Sequence, residues 1–335
     1  MKNNKSGLIT ELPASPHDKS GWPWNIQVNP QIYEKHNYWP KISIVTPSFQ
    51  QGSFIEETIR SILLQNYPNL EYIVIDGGST DETLEILKKY DRWISYWVSK
   101  PDKGQTNALN NGFNLASGEI CAYLNSDDLF LPNAFYFIIN SYIYNNWNWV
   151  CSNTIVGKNT ASKKKWEVNK KLSIHAFVAG QTFPQQGVFW KSTVLKKPYF
   201  NEKWKFIMDR AFFFEIFSDK GAPFRLNILT SFFREHIEAK TSTMQEVCQN
   251  ETKSHIEEIL NKFDDYFIKK CLKEIVRKEN MSKITFLIMD NPDTVKMRIK
   301  NLYTAIHIIV KTPNLFRDRF FWSGLFRLFL KIFQI

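Results

Sequence analysis

Between Lys41 and Asp128 the chain alternates short apolar runs with stretches of helical period, and the runs stop at polar, turn-forming clusters. Ile42, Ile44 and Val45 form a strand of the buried type that stops at Thr46-Pro47. Ser53 and Glu56 then carry a capping-box signature, and Ile55, Ile59, Ile62 and Leu63 give a helical stripe. The second strand, Tyr72 to Ile75, ends at Asp76-Gly77-Gly78. Ser79 and Glu82 predict another capping box, with Leu84, Ile86 and Leu87 on the helix behind it. Trp93 to Val98 reads as a third strand, Asn107 to Leu115 as a helix, and Ile120 to Leu124 as a fourth strand ending at Asn125-Ser126-Asp127-Asp128. Such alternation needs helices laid on the faces of the sheet, so the expectation is an α/β domain with a mixed, mostly parallel central sheet.

The flanks differ. Residues 1–40 are rich in Pro, Asn and Trp without a period and read as an irregular arm, with the domain itself at 41–242. From about Thr243 to residue 335 the pattern turns helical. Ile256, Ile259, Leu260, Phe263 and Phe267 mark one long amphipathic helix, and Asp293 to Lys311 another. Leu315 to Ile335 gathers its polar residues on one face, which fits a helix in a membrane interface or one docked on the core.

The net charge is +10, which admits nucleic acid, an anionic membrane or a phosphorylated substrate as partner, or simply a lysine-rich composition. No nucleic-acid module is recognisable, so nucleic acid is not expected. The four cysteines are far apart and form no CxxC pair, which argues against zinc and for a reducing compartment. Without an apolar leader or an 18-residue apolar run, a cytoplasmic protein is expected, held peripherally at the inner face of the plasma membrane if the last helix binds lipid.

Ligands of open α/β sheets bind beyond the carboxyl ends of the strands. Thr46-Pro47-Ser48-Phe49, Asp76-Gly77-Gly78 and Asn125-Ser126-Asp127-Asp128 converge there, with the Lys103-Gly104 turn in the same half. Each has a plain structural reading as a turn or helix start. The run Ile120 to Leu124, however, delivers two adjacent carboxylates to one edge, and a divalent cation relieves their repulsion. Mg²⁺ commonly takes one or two protein carboxylates and completes its shell with water and substrate phosphates.

The ordered blocks Ile42–Gln51, Asp76–Asp81, Gly104–Gly112 and Leu124–Asp128 resemble the family 2 glycosyltransferases. That resemblance implies a glycosyltransferase A-type, Rossmann-like catalytic domain and an inverting, metal-assisted transfer from a nucleotide-sugar. It implies Mn²⁺ or Mg²⁺ as cofactor, a UDP-, GDP- or dTDP-sugar as donor, and a glycan or lipid-linked acceptor, as in surface polysaccharide biosynthesis. Carried over, it assigns Thr46, Pro47, Phe49, Asp76, Gln105, Asn110, Asp127 and Gln186 to the nucleotide-sugar, with Phe49 stacking on the base. Asp128 and His236 fall to the metal. Gly77 stands where the family's second carboxylate contacts the base, which leaves the base open.

An inverting transfer needs a general base for the acceptor hydroxyl. Asp209 matches the family's carboxylate at the start of a helix, with Glu202 and Glu215 as lesser candidates; its structural alternative is a helix N-terminal carboxylate. Lys240 could face phosphate or solvent. The rival from another class is a catalytically inactive domain of the same fold that binds a glycan or scaffolds an assembly. A nucleotidyltransferase is disfavoured because the segment Thr46–Gly52 carries no basic residue.

Overall fold

The computed structural model describes residues 6–158, 163–170, 172–264, 266–272, 274–275 and 304. Its strands are β1 (Ile42–Ser48), β2 (Leu70–Asp76), β3 (Tyr96–Ser99), β4 (Ile120–Tyr123), β5 (Leu129–Phe130), β6 (Trp149–Gly157), β7 (Lys163–Trp166), β8 (Val188–Lys191) and β9 (Phe224–Arg234). The helices are α1 (Gly52–Leu63), α2 (Thr83–Tyr90), α3 (Gln105–Leu115), α4 (Ala134–Asn145), α5 (Ile174–Val178), α6 (Met208–Lys220), α7 (Lys240–Thr243) and α8 (Gln245–Lys262). Chain contacts separate two units, Met1–Ile174 with Thr182–Ile256, and His175–Gln181 with Glu257–Ile335.

The first unit is built on one mixed sheet of order β3-β2-β1-β4-β8-β6-β9-β5, with β7 beside β6. Pairing is parallel from β3 to β4 and between β6 and β9, and antiparallel elsewhere. β1 is buried at every position, because helices cover both faces of the parallel half. It also runs two residues past Val45 and Thr46, through Pro47 to Ser48, further than the sequence predicts. Ile55, Ile59, Ile62 and Leu63 of α1 are fully buried against this sheet, each worth about 1.5–3 kcal/mol of apolar transfer.

The two predicted capping boxes do not form. α1 starts at Gly52, whose N–H is received by Asp81 Oδ2 at 2.8 Å from the next loop, while Glu56 receives Lys89 and the Tyr90 hydroxyl. α2 starts at Thr83, and the Ser79 hydroxyl donates to Asp76 instead of capping it. Part of the seam between β6 and β9 is polar, although β5, β8 and the start of β6 are apolar and buried. Ser152 pairs with Thr230 at 2.5 Å, Thr154 with Ser231 at 2.6 Å, and Asn153 with Asn227 at 3.1 Å across β6 and β9.

Residues 6–40 are mostly irregular, with a 3₁₀ turn at Pro30–Lys35 and buried Trp24, Tyr33 and Trp39. Arg60 of α1 holds this arm. Its buried guanidinium donates to the carbonyls of Pro23 (3.0 Å), Pro13 (2.9 Å) and Trp24 (2.7 Å) and to the Tyr90 hydroxyl (3.0 Å). The Trp22 indole donates to Phe130 O at 2.8 Å.

The long helix expected through Phe267 is two. α8 ends at Lys262, and Asp264 Oδ1 receives Phe267 N at 2.8 Å, capping the next helical stretch. In the second unit the rings of Phe263 and Phe267 stack with centroids 4.4 Å apart. The helices expected at 293–311 and 315–335 lie outside the described residues, and among those described no helix is long and apolar enough to cross a membrane.

Candidate functional site

The loops after β1, β2 and β3 meet over one buried carboxylate. Asp76, the last residue of β2, has Oδ2 receiving Gly78 N (3.1 Å), Ser79 N (2.8 Å) and Ser99 Oγ (2.6 Å), and Oδ1 receiving Ser79 Oγ (2.6 Å). Fully enclosed, it binds the loops together through these four donors. Thr46 and Pro47 are likewise buried, and the Thr46 hydroxyl receives Tyr72 OH at 3.3 Å. Phe49 does lie open, 60% exposed, directly beside Gly77.

The Asn125–Asp128 turn is positioned by α1, whose Thr58 hydroxyl reaches the carbonyls of Ser126 (2.9 Å) and Asp128 (2.8 Å). Its two carboxylates diverge. Asp128 is fully buried, with Oδ2 receiving Gln186 Nε2 at 2.8 Å and Oδ1 receiving Arg234 N at 3.0 Å. Burial, then the neighbouring Asp127 charge, push its pKa well above the usual carboxylate range, against those two donors. Asp127 keeps 19% of its side chain exposed and sits 2.9 Å from Nε2 of His236, itself 13% exposed. Phe54 backs the imidazole at a ring distance of 4.7 Å, and Arg234 pairs with Glu57 and donates to Asp127 O at 2.9 Å.

Among the described residues no three His, Cys, Asp or Glu side chains cluster to enclose a metal. The accessible pair is Asp127 with His236; Asp128, expected from sequence to ligate, has both oxygens taken by protein donors. One carboxylate and one imidazole fit a divalent cation only if phosphate and water complete its shell; the carboxylate and phosphate oxygens are the usual Mg²⁺ donors, and the imidazole is the softer member of the set.

Asp209 occupies the first turn of α6, where its Oδ1 receives Arg210 N at 2.6 Å. The chain entering that turn is held by Glu251, which receives the N–H groups of Lys205 (2.8 Å), Phe206 (2.9 Å) and Ile207 (3.1 Å). Desolvation raises the Asp209 pKa, and the Arg210 N–H, then the Lys240 and Arg210 charges, oppose it. Lys240 is half-buried rather than solvated. It donates to Gln105 Oε1 at 2.9 Å and to Lys205 O, and Gln105 Nε2 donates to Asn125 Oδ1 at 2.7 Å. A polar chain therefore runs from the surroundings of Asp209 to the two-carboxylate turn.

The other candidate residues are placed as follows. Asn110 is buried and spends its amide on Phe200, donating to O (2.8 Å) and receiving N (3.1 Å), as a strand partner would. Gln186 turns in a 3₁₀ helix after Pro184 and faces Asp128, while the buried Oε1 atoms of Gln185 and Gln186 meet no donor among the described residues. Glu202 receives Asn107 Nδ2 at 2.9 Å and, with Glu215, lines a separate polar cleft along α3. Sequence reasoning passed over Arg234, Glu57, Glu251 and Asp102. Of these only Asp102, two residues before the noted Gly104 turn, carried a local signal.

A sequence model described as Glycosyl transferase family 2 matches residues 43–218. A UDP-Glc:alpha-D-GlcNAc-diphosphoundecaprenol beta-1,3-glucosyltransferase of Escherichia coli is 34% identical over 131 residues, 37% of this chain and 52% of that protein. A GalNAc(5)-diNAcBac-PP-undecaprenol beta-1,3-glucosyltransferase of Campylobacter jejuni is 31% identical over 177 residues, 49% of this chain and 56% of that protein. The chain thus spans about half the length of these relatives, and 35% of an uncharacterized glycosyltransferase of Mycobacterium tuberculosis that is 38% identical over 92 residues. The fold is that of S. aureus TarS 1-349 in complex with UDP-GlcNAc, at TM-score 0.57 and 17% identity over 80% of this chain and 81% of that one. A mannosyltransferase of Pyrobaculum calidifontis in complex with GDP-Man and Mn²⁺ superposes at TM-score 0.51 and 16% identity, over 94% of this chain and 91% of that one.

Proposed function

Because the chain belongs to glycosyl transferase family 2, we propose that it transfers a sugar, with inversion, from a nucleoside-diphosphate sugar to a hydroxyl of a lipid-linked glycan. The observation that carries this reading is Asp209, a desolvated carboxylate under the charge of Lys240, which is hydrogen-bonded through Gln105 to Asn125 of the turn that bears Asp127. In the reaction the acceptor oxygen attacks the anomeric carbon as the bond to the β-phosphate oxygen breaks. The hydroxyl proton passes to Asp209, whose raised pKa improves its match to that proton, and the nucleoside diphosphate leaves.

Asp127 and His236 would hold a Mg²⁺ or Mn²⁺ ion, which supplies charge neutralisation for the departing diphosphate. Asp128 fixes the turn from within. Lys240 brings a cation close to the reacting carboxylate, and Phe49 offers its open ring to the base. The diphosphoundecaprenol-linked acceptors in the names of the Escherichia coli and Campylobacter jejuni relatives support an acceptor of that kind, and the charge of +10 suits work at an anionic membrane surface.

Incubation with UDP-, GDP- and dTDP-sugars, a lipid-linked oligosaccharide and Mn²⁺ or Mg²⁺ tests the proposal. Metal-dependent nucleotide release and a lengthened glycan are expected. No transfer, no donor hydrolysis and no nucleotide binding would favour the inactive glycan-binding or scaffolding domain.

A further inference from the structure

The base-contacting carboxylate missing at Gly77 has a neighbour in space. A Cβ built on Gly77 would lie 3.3 Å from Phe49 Cδ2 and 3.4 Å from each oxygen of Asp102. The space that a side chain at 77 would enter is therefore already bounded by an open aromatic ring and a carboxylate from the loop after β3. That loop is held firmly. Lys100 N donates to Asp76 O at 3.0 Å, Ser99 Oγ donates to Asp76, and Asp102 Oδ1 receives Gly104 N at 2.7 Å. Gly78, at φ +85°, presses within 3.0 Å of Pro101 N at its would-be Cβ, so only glycine lets the two loops close. Asp102 Oδ2 meets no donor among the described residues.

We propose that Asp102 reads the donor base, its free Oδ2 accepting the ring N–H of a uracil or thymine stacked on Phe49; the inference rests on the donor site proposed above. One free acceptor beside an aromatic face matches the single ring N–H of these pyrimidines. Guanine presents two adjacent donors and leaves one unmatched, cytosine presents a ring acceptor instead, and adenine has no ring N–H on that edge. A carboxylate at 77 is unnecessary here, and a third acid beside Asp76 and Asp102 would repel both. Desolvation and the Asp76 charge already raise the Asp102 pKa.

The test is calorimetric titration of the full chain with UDP, dTDP, GDP and CDP, for wild type, Asp102→Asn and Asp102→Ser. Wild type should bind UDP or dTDP most tightly. Asp102→Asn keeps an acceptor for Gly104 N but turns an NH₂ toward the base. It should weaken UDP binding about tenfold or more and strengthen CDP, while Asp102→Ser flattens the preference. Adding Gly77→Asp to Asp102→Ser should restore UDP binding. Wild-type preference for GDP or CDP, or an Asp102→Asn protein with unchanged preference, overturns the inference while leaving the donor site standing. Absence of nucleotide binding by wild type overturns the donor site itself.

Discussion

His236 Nε2 lies 2.9 Å from Oδ2 of Asp127, whereas the adjacent Asp128 turns inward to the Gln186 amide. Neighbouring carboxylates in sequence thus face different partners. Asp127→Ala or His236→Ala should leave the melting temperature nearly unchanged and lower metal-dependent turnover about 100-fold. Asp128→Ala strands the Gln186 amide and the Arg234 N–H without acceptors, and should cost about 2–4 kcal/mol in urea unfolding.

Activity should depend on pH through Asp209. The base must be ionised and its pKa is raised, so the acid limb of kcat/KM should lie above the ordinary carboxylate range. Lys240 holds that pKa down, so Lys240→Met should move the limb to still higher pH. A limb at an unperturbed carboxylate value in both proteins would contradict this assignment.

Asp209 should also cost stability. Its folded-state pKa exceeds the unfolded one, so the native state binds the extra proton and stability falls as pH rises from the unfolded pKa through the folded pKa. At neutral pH Asp209→Asn should therefore unfold at higher urea than wild type, with the difference vanishing below the unfolded carboxylate pKa. Paired chemical denaturation at acid and neutral pH checks it.

Arg60 anchors the arm through three carbonyls and a tyrosine hydroxyl. Arg60→Met should destabilise by about 3 kcal/mol or more, since hydrogen bonds to a charged donor are worth roughly 1.5–3 kcal/mol each. It should also open residues 13–24 to limited proteolysis before the sheet unfolds.

Much of the fold was legible because β1, β2 and β4 are apolar runs and α1 carries an unbroken stripe. The capping boxes were not, because α1 begins before Ser53, at Gly52, whose N–H goes to Asp81 of another loop, and the Ser79 hydroxyl is spent on Asp76, three residues upstream. β6 and β9 carry a weaker signal because hydroxyl pairs such as Ser152–Thr230 and Thr154–Ser231 interrupt the apolar alternation at their seam. In the site, Phe49 is open beside Gly77, Asp209 begins its helix, and Asp127 meets His236. Asp76 and Asn110 have the residue types of ligand contacts, yet among their partners Ser99 and Phe200 are protein groups that only the folded chain brings near. Lys240 joins the segments of Gln105 and Lys205, a link across the chain that no local pattern records.

The central claim is that Asp209 accepts the acceptor proton while Asp127 and His236 serve the diphosphate. Single-turnover transfer from a radiolabelled nucleotide-sugar, compared for wild type and Asp209→Asn with nucleotide affinity measured in parallel, tests it most directly. Asp209→Asn should bind nucleotide as tightly as wild type and transfer at least about 100-fold more slowly, the scale of a lost general base. Transfer by Asp209→Asn at the wild-type rate would contradict the account.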